Sequence, residues 1–280
     1  MKIITSVVNN PLFIKLQHYT FQKYCKNDYE FIVFNDAKPF PDSSNGGDLT
    51  MKKQIENMCN ELKIKCINVD NDHHTKISNF TDRHADVFNN VILKYQKDNP
   101  DKYFILDSDM FLIDYIDFNL YDGLKLCGII HTTKKHFHYT SPQIAYMDTV
   151  LLDNWEKFSW AAIPGLADTG GRSGYWLFSK IPNLEKYKVG ELRGKTINKI
   201  HFYKSHLASL CWDETDIPIN IKNDRLVTLL KKDSRNKNDK FFCEIYNDKF
   251  LHYRAGSNWM GEGLEFHNNF TKELAKILLN

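Results

Sequence analysis

Several features that would place this chain in a common class of proteins are missing from its sequence. No apolar run approaches the ~20 residues needed to cross a bilayer, and residues 1–8 are too poor in apolar residues for a signal peptide. The six cysteines are scattered without a Cys-x-x-Cys pair, which argues against a zinc ribbon and suits reduced thiols. With 37 basic and 35 acidic residues the formal net charge is +2, so the balance implies no nucleic-acid partner. We therefore expect a soluble, cytoplasmic protein without a transmembrane segment.

The sequence also has no Gly-x-Gly-x-x-Gly motif after its first predicted strand, so a dinucleotide-binding Rossmann site is not expected. What it has instead is an alternation of two patterns. Apolar runs at residues 3–8, 31–34, 64–69 and 103–106 predict strands, with helical patterns between them. This alternation predicts an α/β fold with a right-handed, mostly parallel, doubly wound half. With 280 residues, 42% of them apolar, and no clear linker, the chain is expected to form one domain.

The pattern is less regular beyond residue 109. Residues 126–130, 175–178 and 249–251 are predicted to form strands, and a last helix is predicted from Thr271. Residues 202–210 carry no clear pattern. Function in this half therefore has to be inferred from polar motifs.

The most informative stretch is Asp107-Ser108-Asp109, at the end of the fourth predicted strand. Apolar residues on both sides of it indicate a strand buried on both faces. Ionised carboxylates are not left unpaired in such a core, so the acids must lie where the strand emerges at its carboxyl end, the edge at which open α/β sheets bind ligands. Two carboxylates this close repel each other unless a cation lies between them. The stretch predicts a divalent-metal site, and the alternative is a strand followed by an acidic turn.

Three known motifs place two acids in this way. A calcium loop of the EF-hand type requires an oxygen ligand and then Gly at the positions held by Phe111 and Leu112. A haloacid-dehalogenase-type phosphatase carries its acids near the N-terminus and usually has Thr or Val in place of Phe111. The chain instead resembles the GT-A glycosyltransferases, in which an Asp-x-Asp motif holds Mn²⁺ or Mg²⁺ against the diphosphate of a nucleotide sugar. Asp107 and Asp109 are then metal ligands.

This resemblance implies a GT-A fold of two halves. Residues 1–113 would bind the nucleotide sugar, and residues 114–280 would bind the acceptor and supply a C-terminal metal and diphosphate segment. The implied activity is that of a hexosyltransferase that moves a sugar from a nucleotide-sugar donor, UDP-linked, to an acceptor hydroxyl. The acceptor class stays open among glycans, lipid-linked and protein acceptors.

Residues 252–259 resemble the segment that closes over the diphosphate in retaining galactosyltransferases and glycogenin-type enzymes. His252 would be the third metal ligand, which favours Mn²⁺ over the harder Mg²⁺; the alternative is a structural histidine after a strand. The segment lacks the Lys-Pro pair of those enzymes, so only Arg254 can take the place of the lysine. The residues assigned to diphosphate or sugar binding here are Arg254, Gly256, Ser257, Asn258 and Trp259.

Two further motifs offer carboxylates for catalysis. Asp213 and Glu214 resemble the acidic segments that GT-A enzymes place near the anomeric carbon of the sugar. Such a carboxylate deprotonates the acceptor in an inverting enzyme, which is worth about 10²–10⁴-fold, or attacks or stabilises the sugar in a retaining one. Asp168 precedes Gly170 and Gly171, which let the backbone approach a ligand closely, and is assigned to the donor sugar. An ordinary turn is the alternative for both motifs.

The nucleotide is expected at the ends of the first two predicted strands, next to the Asp-x-Asp motif and the start of the preceding helix. Each position is also compatible with an ordinary loop residue. The residues assigned to nucleotide binding are Thr5, Ser6, Val7, Asn35, Asp36, Arg83 and Ser108.

Two other classes of protein fit parts of this pattern. A nucleotidyltransferase would use the same acids on a nucleoside triphosphate, but residues 9–11, Asn-Asn-Pro, are not the Gly- and Lys- or Arg-rich loop expected after its first strand. A non-catalytic carbohydrate-binding module would suit the aromatic content of 14%, but does not explain two acids at a buried strand end. His131, His136 and His138 are predicted to be surface or acceptor-side residues rather than metal ligands. A composition rich in Asn, Lys and Asp fits a bacterial or viral source.

Overall fold

The structure is a computed structural model that describes residues 1–204, 206–221, 223–257 and 263–280. It has an α/β architecture built on a large, mostly parallel mixed sheet, which is compatible with the predicted Rossmann-like half. None of the described helices is long and apolar enough to cross a membrane.

The secondary structure follows the order strand-helix-strand in the first third of the chain. The strands are β1 (Lys2–Val7), β2 (Glu30–Asn35), β3 (Lys65–Asn68), β4 (Lys102–Asp107), β5 (Met110–Leu112), β6 (Leu126–Thr132), β7 (His138–Asp148), β8 (Thr196–Ile197), β9 (Ile200–Phe202), β10 (His206–Leu207), β11 (Glu244–Tyr246) and β12 (Phe250–His252). The helices are α1 (Pro11–Tyr24), α2 (Met51–Leu62), α3 (Phe80–Asp86), α4 (Leu93–Asp98), α5 (Ser173–Lys180), α6 (Val189–Leu192), α7 (Asp224–Lys231) and α8 (Gly263–Leu278). A π-helical segment, Val87–Ile92, joins α3 to α4.

The larger sheet has eight strands in the order β3-β2-β1-β4-β7-β6-β9-β8. Strands β3, β2, β1 and β4 run parallel, as the alternating pattern predicted. The sheet becomes mixed at β7, which is antiparallel to both β4 and β6. In the parallel half Ser6 lies beside Asp107, and Val7 lies beside Asn35. The carboxyl ends of β1, β2 and β4 therefore form one edge.

Both faces of the parallel half are buried. Because successive side chains of a strand point to opposite faces, Ile3 packs in the cluster that contains Phe21 of α1, whereas Ile4 packs in the cluster that contains Phe88. Burial of such side chains contributes about 25 cal/mol per Å² of apolar surface. Between Lys102 at its start and Asp107 at its end, strand β4 carries only the buried apolar and aromatic side chains of residues 103–106.

A second, smaller sheet has four short strands in the order β10-β11-β12-β5. Strand β5 begins at Met110, after Ser108 and Asp109, so the chain passes from the large sheet into the small one within a two-residue turn. Strand β12 pairs antiparallel with β5 and places His252 opposite Met110. The small sheet packs against residues of α1, α7 and α8. It brings the C-terminal region to the edge of the large sheet.

The structure corrects three of the predicted elements. Residues 175–178 were predicted to form a strand but lie in helix α5, because a short apolar run cannot distinguish a strand from a buried helix. The last helix begins at Gly263 rather than at Thr271. Strand β7 was not predicted, because polar residues and Pro142 interrupt the apolar pattern of its first half. The predicted strand at 126–130 is confirmed as β6, and the one at 249–251 is confirmed as β12, one residue later.

Gly170 provides a test of the packing between β7 and the segment before α5. Its φ is +92°, and a Cβ atom there would lie 2.3 Å from the backbone oxygen of Thr140. Gly165 has a φ of +70°, but nothing lies within 4 Å of a Cβ atom at that position. We expect Gly165→Ala to lower the free energy of unfolding by about 1–2 kcal/mol, the cost of a left-handed backbone. Gly170→Ala should lower it by about 1–3 kcal/mol more through overpacking.

Urea denaturation followed by tryptophan fluorescence measures both losses. Equal losses in the two variants would contradict the close approach of Gly170 to Thr140.

Candidate functional site

The turn between β4 and β5 carries the two acids that the sequence singled out. Asp107 is the last residue of β4 and lies at the common edge of the parallel strands, as predicted for a strand that emerges from the core. Asp109 follows two residues later and is almost fully buried. Asp107 is thus held at the end of β4, and Asp109 is held in the two-residue turn that leads into β5.

His252 reaches these acids through the pairing of β12 with β5. The backbone N–H of Tyr253 donates to the carbonyl oxygen of Asp109 at 2.8 Å, which fixes the register. Nε2 of His252 then lies 3.4 Å from Oδ1 of Asp109. The nitrogen and oxygen atoms that Asp107, Asp109 and His252 can offer to a metal all lie within 4.8 Å of one another. The structure therefore brings together the three residues that were predicted to bind metal.

The segment after β12 also holds Asp109 in place. The backbone N–H of Gly256 donates to Oδ2 of Asp109 at 2.9 Å. A Cβ atom on Gly256 would lie 2.5 Å from the ring of Tyr253 and 2.9 Å from its carbonyl oxygen, so the turn has no room for a side chain. The hydroxyls of Ser108 and Ser257 are 2.9 Å apart and join the two turns. Asp109 is therefore oriented by the same segment that supplies His252.

Glu244 lies behind His252 on the neighbouring strand, and sequence reasoning did not identify it. Its Oε2 is 2.8 Å from Nδ1 of His252, so the imidazole lies between two carboxylates, those of Glu244 and Asp109. Burial would lower the pKa of His252, but Asp109 and then Glu244 raise it to about 10. Burial would raise the pKa of Glu244, but the hydrogen bond with His252 lowers it to about 2. Only the antiparallel register of β11 and β12, with Glu244 opposite His252, could have revealed this pair.

His84, on helix α3, is the second residue that sequence reasoning missed. Its Nε2 is 3.3 Å from Oδ1 of Asp107, and its Nδ1 is 3.2 Å from the hydroxyl of Thr169. Burial would raise the pKa of Asp107, but the nearby His84 holds it below its usual value. In turn, burial would lower the pKa of His84, but Asp107 raises it. The sequence showed His84 only as one position of a helical pattern.

These residues open into a cavity of about 550 Å³. The lining residues that the sequence had assigned to the site are Ser6, Asp36, Arg83, Asp107, Ser108, Asp109, Asp168, His252, Arg254 and Ser257. Those that it had not assigned include Lys38, Phe80, Thr81, His84, Tyr139, Ser141, Gln143, Thr169 and Phe242. A second cavity of about 430 Å³ shares Thr81, Tyr139 and Asp168 with the first.

Two buried ion pairs form part of the cavity wall next to Asp107 and Asp109. Lys38 Nζ lies 2.7 Å from Oδ2 of Asp36, and both side chains line the cavity. Arg83 is paired with Asp42, and its guanidinium lies 5.7 Å from the ring centroid of Phe80. Arg83 therefore builds the wall, and its charge is already compensated.

Several predicted residues lie at the same edge but do not line the cavity. Thr5, Val7 and Asn35 are fully buried, and the side-chain amide of Asn35 donates to the carbonyl oxygen of Lys52 at 2.8 Å. Gly256 contributes its backbone N–H to Asp109, as described above. Asn258 and Trp259 lie outside the described residues.

Gly170 and Gly171, which follow Asp168 and Thr169, pack closely against other parts of the protein. A Cβ atom on Gly171 would lie 2.7 Å from Cβ of Ala167, so the backbone here approaches protein rather than open space. The carboxylate of Asp168 accepts a hydrogen bond from the backbone N–H of Thr169 at 2.7 Å. Close packing within the protein therefore accounts for the two glycines.

Asp213 and Glu214, which were predicted to be catalytic, lie apart from this group. Asp213 caps a short 3₁₀ turn and is paired with Lys240. Glu214 is paired with Lys231, and 54% of its side chain is exposed. Neither lines the cavity. Their catalytic role therefore stays a prediction that the geometry of the cavity does not support.

Comparison with known proteins returns no matching family model and no matching curated protein. The chemistry therefore has to be inferred from the residues of the site.

The charge of His252 leads to a pH-dependent prediction. Its pKa is about 10 in the folded protein, against an ordinary value of 6.5. Because the folded-state pKa is raised, the stabilisation is fully present below pH 6.5 and is lost as the pH rises toward 10. We expect the free energy of unfolding, measured with a chelator present, to fall across this range in the wild type and much less in His252→Gln.

His201→Gln is the matched control, because burial lowers the pKa of His201 and the substitution should keep the wild-type slope. A wild-type slope in His252→Gln would exclude His252 as the cause.

Proposed function

We propose that this protein is a metal-dependent glycosyltransferase that moves a sugar from a nucleotide-sugar donor, UDP-linked, to an acceptor hydroxyl. The observation that carries the proposal is the convergence of Asp107, Asp109 and His252 from distant parts of the chain onto one edge of the sheet. They border a cavity of about 550 Å³, which is within the usual size range of small-molecule sites.

The chemistry of the three side chains fits a divalent metal ion. Two carboxylates and one imidazole favour Mn²⁺, and Mg²⁺ is the alternative. Glu244 engages Nδ1 of His252, which leaves Nε2 directed at Asp109, the arrangement in which protein metal sites orient their histidines. A metal ion held there would act as a Lewis acid on the diphosphate leaving group.

The donor would lie with its nucleotide toward the ends of β1 and β2. Ser6 and the Asp36–Lys38 pair line that part of the cavity and offer both acceptors and donors. At the diphosphate, Arg254 supplies a positive charge that no carboxylate of the described residues holds in an ion pair. Its guanidinium lies 5.0 Å from the ring centroid of Phe242 and donates to the hydroxyl of Ser209, which hold it at the cavity. Arg254 thus takes the place of the lysine that the resemblance implied.

The sugar would lie toward Asp168. Of the three acids predicted to be catalytic, this one lines the cavity, and it also borders the adjoining cavity of about 430 Å³. An acceptor entering through the second cavity would meet the donor at Asp168, Thr81 and Tyr139. We assign Asp168 to the hydroxyl groups of the reacting sugars.

Ligand-dependent stability tests the donor class. We expect UDP or a UDP-sugar to raise the midpoint of thermal unfolding only when Mn²⁺ is present, by an amount that corresponds to about 2.7 kcal/mol at a hundredfold excess over Kd. Asp107→Asn and Asp109→Asn should abolish the metal-dependent shift. Asp122→Asn is the matched control, because it removes an exposed acid paired with Lys102, away from the cavity.

The other classes predict different outcomes of the same screen. A shift with nucleoside triphosphates but with no diphosphate or diphospho-sugar would indicate a nucleotidyltransferase. Binding of glycans without nucleotide or metal would indicate a carbohydrate-binding module.

Turnover distinguishes the acids that were predicted to be catalytic. We expect Asp168→Asn to lower kcat for donor hydrolysis or transfer by about 10²–10⁴-fold, the usual contribution of a positioned acid or base. Glu214→Gln should stay within a few-fold of the wild type, because Glu214 is exposed and paired with Lys231 outside the cavity. A large loss of kcat in Glu214→Gln together with a small loss in Asp168→Asn would instead indicate that the reaction takes place at Asp213 and Glu214.

A further inference from the structure

A second group of metal-binding side chains lies outside the cavity. His73 and His74 are consecutive in a 3₁₀ turn, Asp72–Lys76, and Asp86 ends helix α3. Nε2 of each histidine lies 2.8 Å from the same oxygen, Oδ2 of Asp86. Two imidazoles and one carboxylate thus converge on one point, with 52% of the His73 side chain exposed and His74 fully buried.

The surroundings of His74 do not suit either neutral form of its ring in the absence of a cation. If Nε2 carries the proton, it donates to Asp86, but Nδ1 is then a buried lone pair without a hydrogen-bond donor, 4.0 Å from Oδ1 of Asp36. If Nδ1 carries the proton, it points to Asp36, but the lone pair of Nε2 then faces Oδ2 of Asp86 at 2.8 Å. In this second form, a cation bound between Nε2 of His74 and Oδ2 of Asp86 would remove the repulsion between these two atoms.

We propose that His73, His74 and Asp86 form a second metal site, which binds a transition-metal ion of the Zn²⁺ type. Two imidazole nitrogens and one carboxylate oxygen are a common set of zinc ligands, with water completing the four positions. Imidazole-rich sites favour Zn²⁺ over Mg²⁺ and Ca²⁺, which prefer oxygen ligands. This site therefore differs in ligand chemistry from the one at Asp107 and Asp109, which has two carboxylates.

The residues that contact His74 and Asp86 on the side away from the proposed zinc ion suit a metal site. Asp36 faces the second nitrogen of His74, the position from which a carboxylate orients a metal-bound histidine. The other oxygen of Asp86 accepts a hydrogen bond from the side-chain amide of Asn90 at 2.6 Å. Because Asp36 also lines the large cavity, bound zinc would fix the position of one of its wall residues. The site has a structural role, since His73, His74 and Asp86 do not line that cavity.

Zinc titration by calorimetry tests the proposal in the full chain. In an Asp107→Asn, Asp109→Asn background, we expect one equivalent of Zn²⁺ to bind. Adding His73→Ala should weaken this binding by at least about 100-fold, since loss of outer partners alone costs 10–100-fold. His136→Asn is the matched control, because it removes an exposed imidazole at a φ of +57°, which Asn tolerates, and should leave the affinity unchanged.

Hydrogen exchange provides a second readout that does not need the background substitutions. In the otherwise wild-type protein, Zn²⁺ should slow the exchange of amides in residues 72–77, and His73→Ala should remove that effect. Half-exposed His73 can be truncated with little risk to the fold. Unchanged zinc affinity in His73→Ala, or no binding tighter than millimolar in the background variant, would overturn the proposal.

Discussion

The antiparallel pairing of β5 with β12 is the contact on which the rest of the site depends. It joins the residue after Asp109 to His252, across more than half of the chain, and adds the backbone hydrogen bond from Tyr253 to Asp109. Without this register Asp109 would lack His252, the imidazole that compensates its charge. The turn at Gly256 then returns to hold the carboxylate of Asp109. Two short strands thus determine where the polar residues of the large sheet meet those of the C-terminal region.

Charge compensation explains why this edge of the protein is so densely paired. Desolvating an unpaired carboxylate is costly, so each buried acid here has an imidazole or an ammonium beside it. His84 accompanies Asp107, His252 lies between Asp109 and Glu244, and Lys38 accompanies Asp36. Imidazole is well suited to this role at a metal site, because it can release its proton when an ion binds.

Asp36 lies between the large cavity and the proposed zinc site. One oxygen of its carboxylate engages Lys38 at the cavity, and the other receives a hydrogen bond from Asn71 and faces His74. A network of this kind would hold this end of the cavity, where we propose that the nucleotide binds, in one geometry before a donor binds. Preorganisation of this sort reduces the entropy lost on binding. Zinc would therefore act on donor binding through the position of Asp36, without touching the donor.

The sequence by itself determined the parallel half of the sheet and the position of Asp107 and Asp109 at a strand end, because a buried strand excludes unpaired charge along its length. It also pointed to His252 through a resemblance. Only the tertiary structure decided which residues surround them: Glu244 depends on the register of β11, and His84 on the packing of α3. For the same reason an acidic motif alone could not show that Glu214 lies at the surface. The local sequence pattern indicates which residues are buried and whether a segment has the period of a strand or of a helix. Contacts between distant segments depend instead on how the strands pair and how the helices pack.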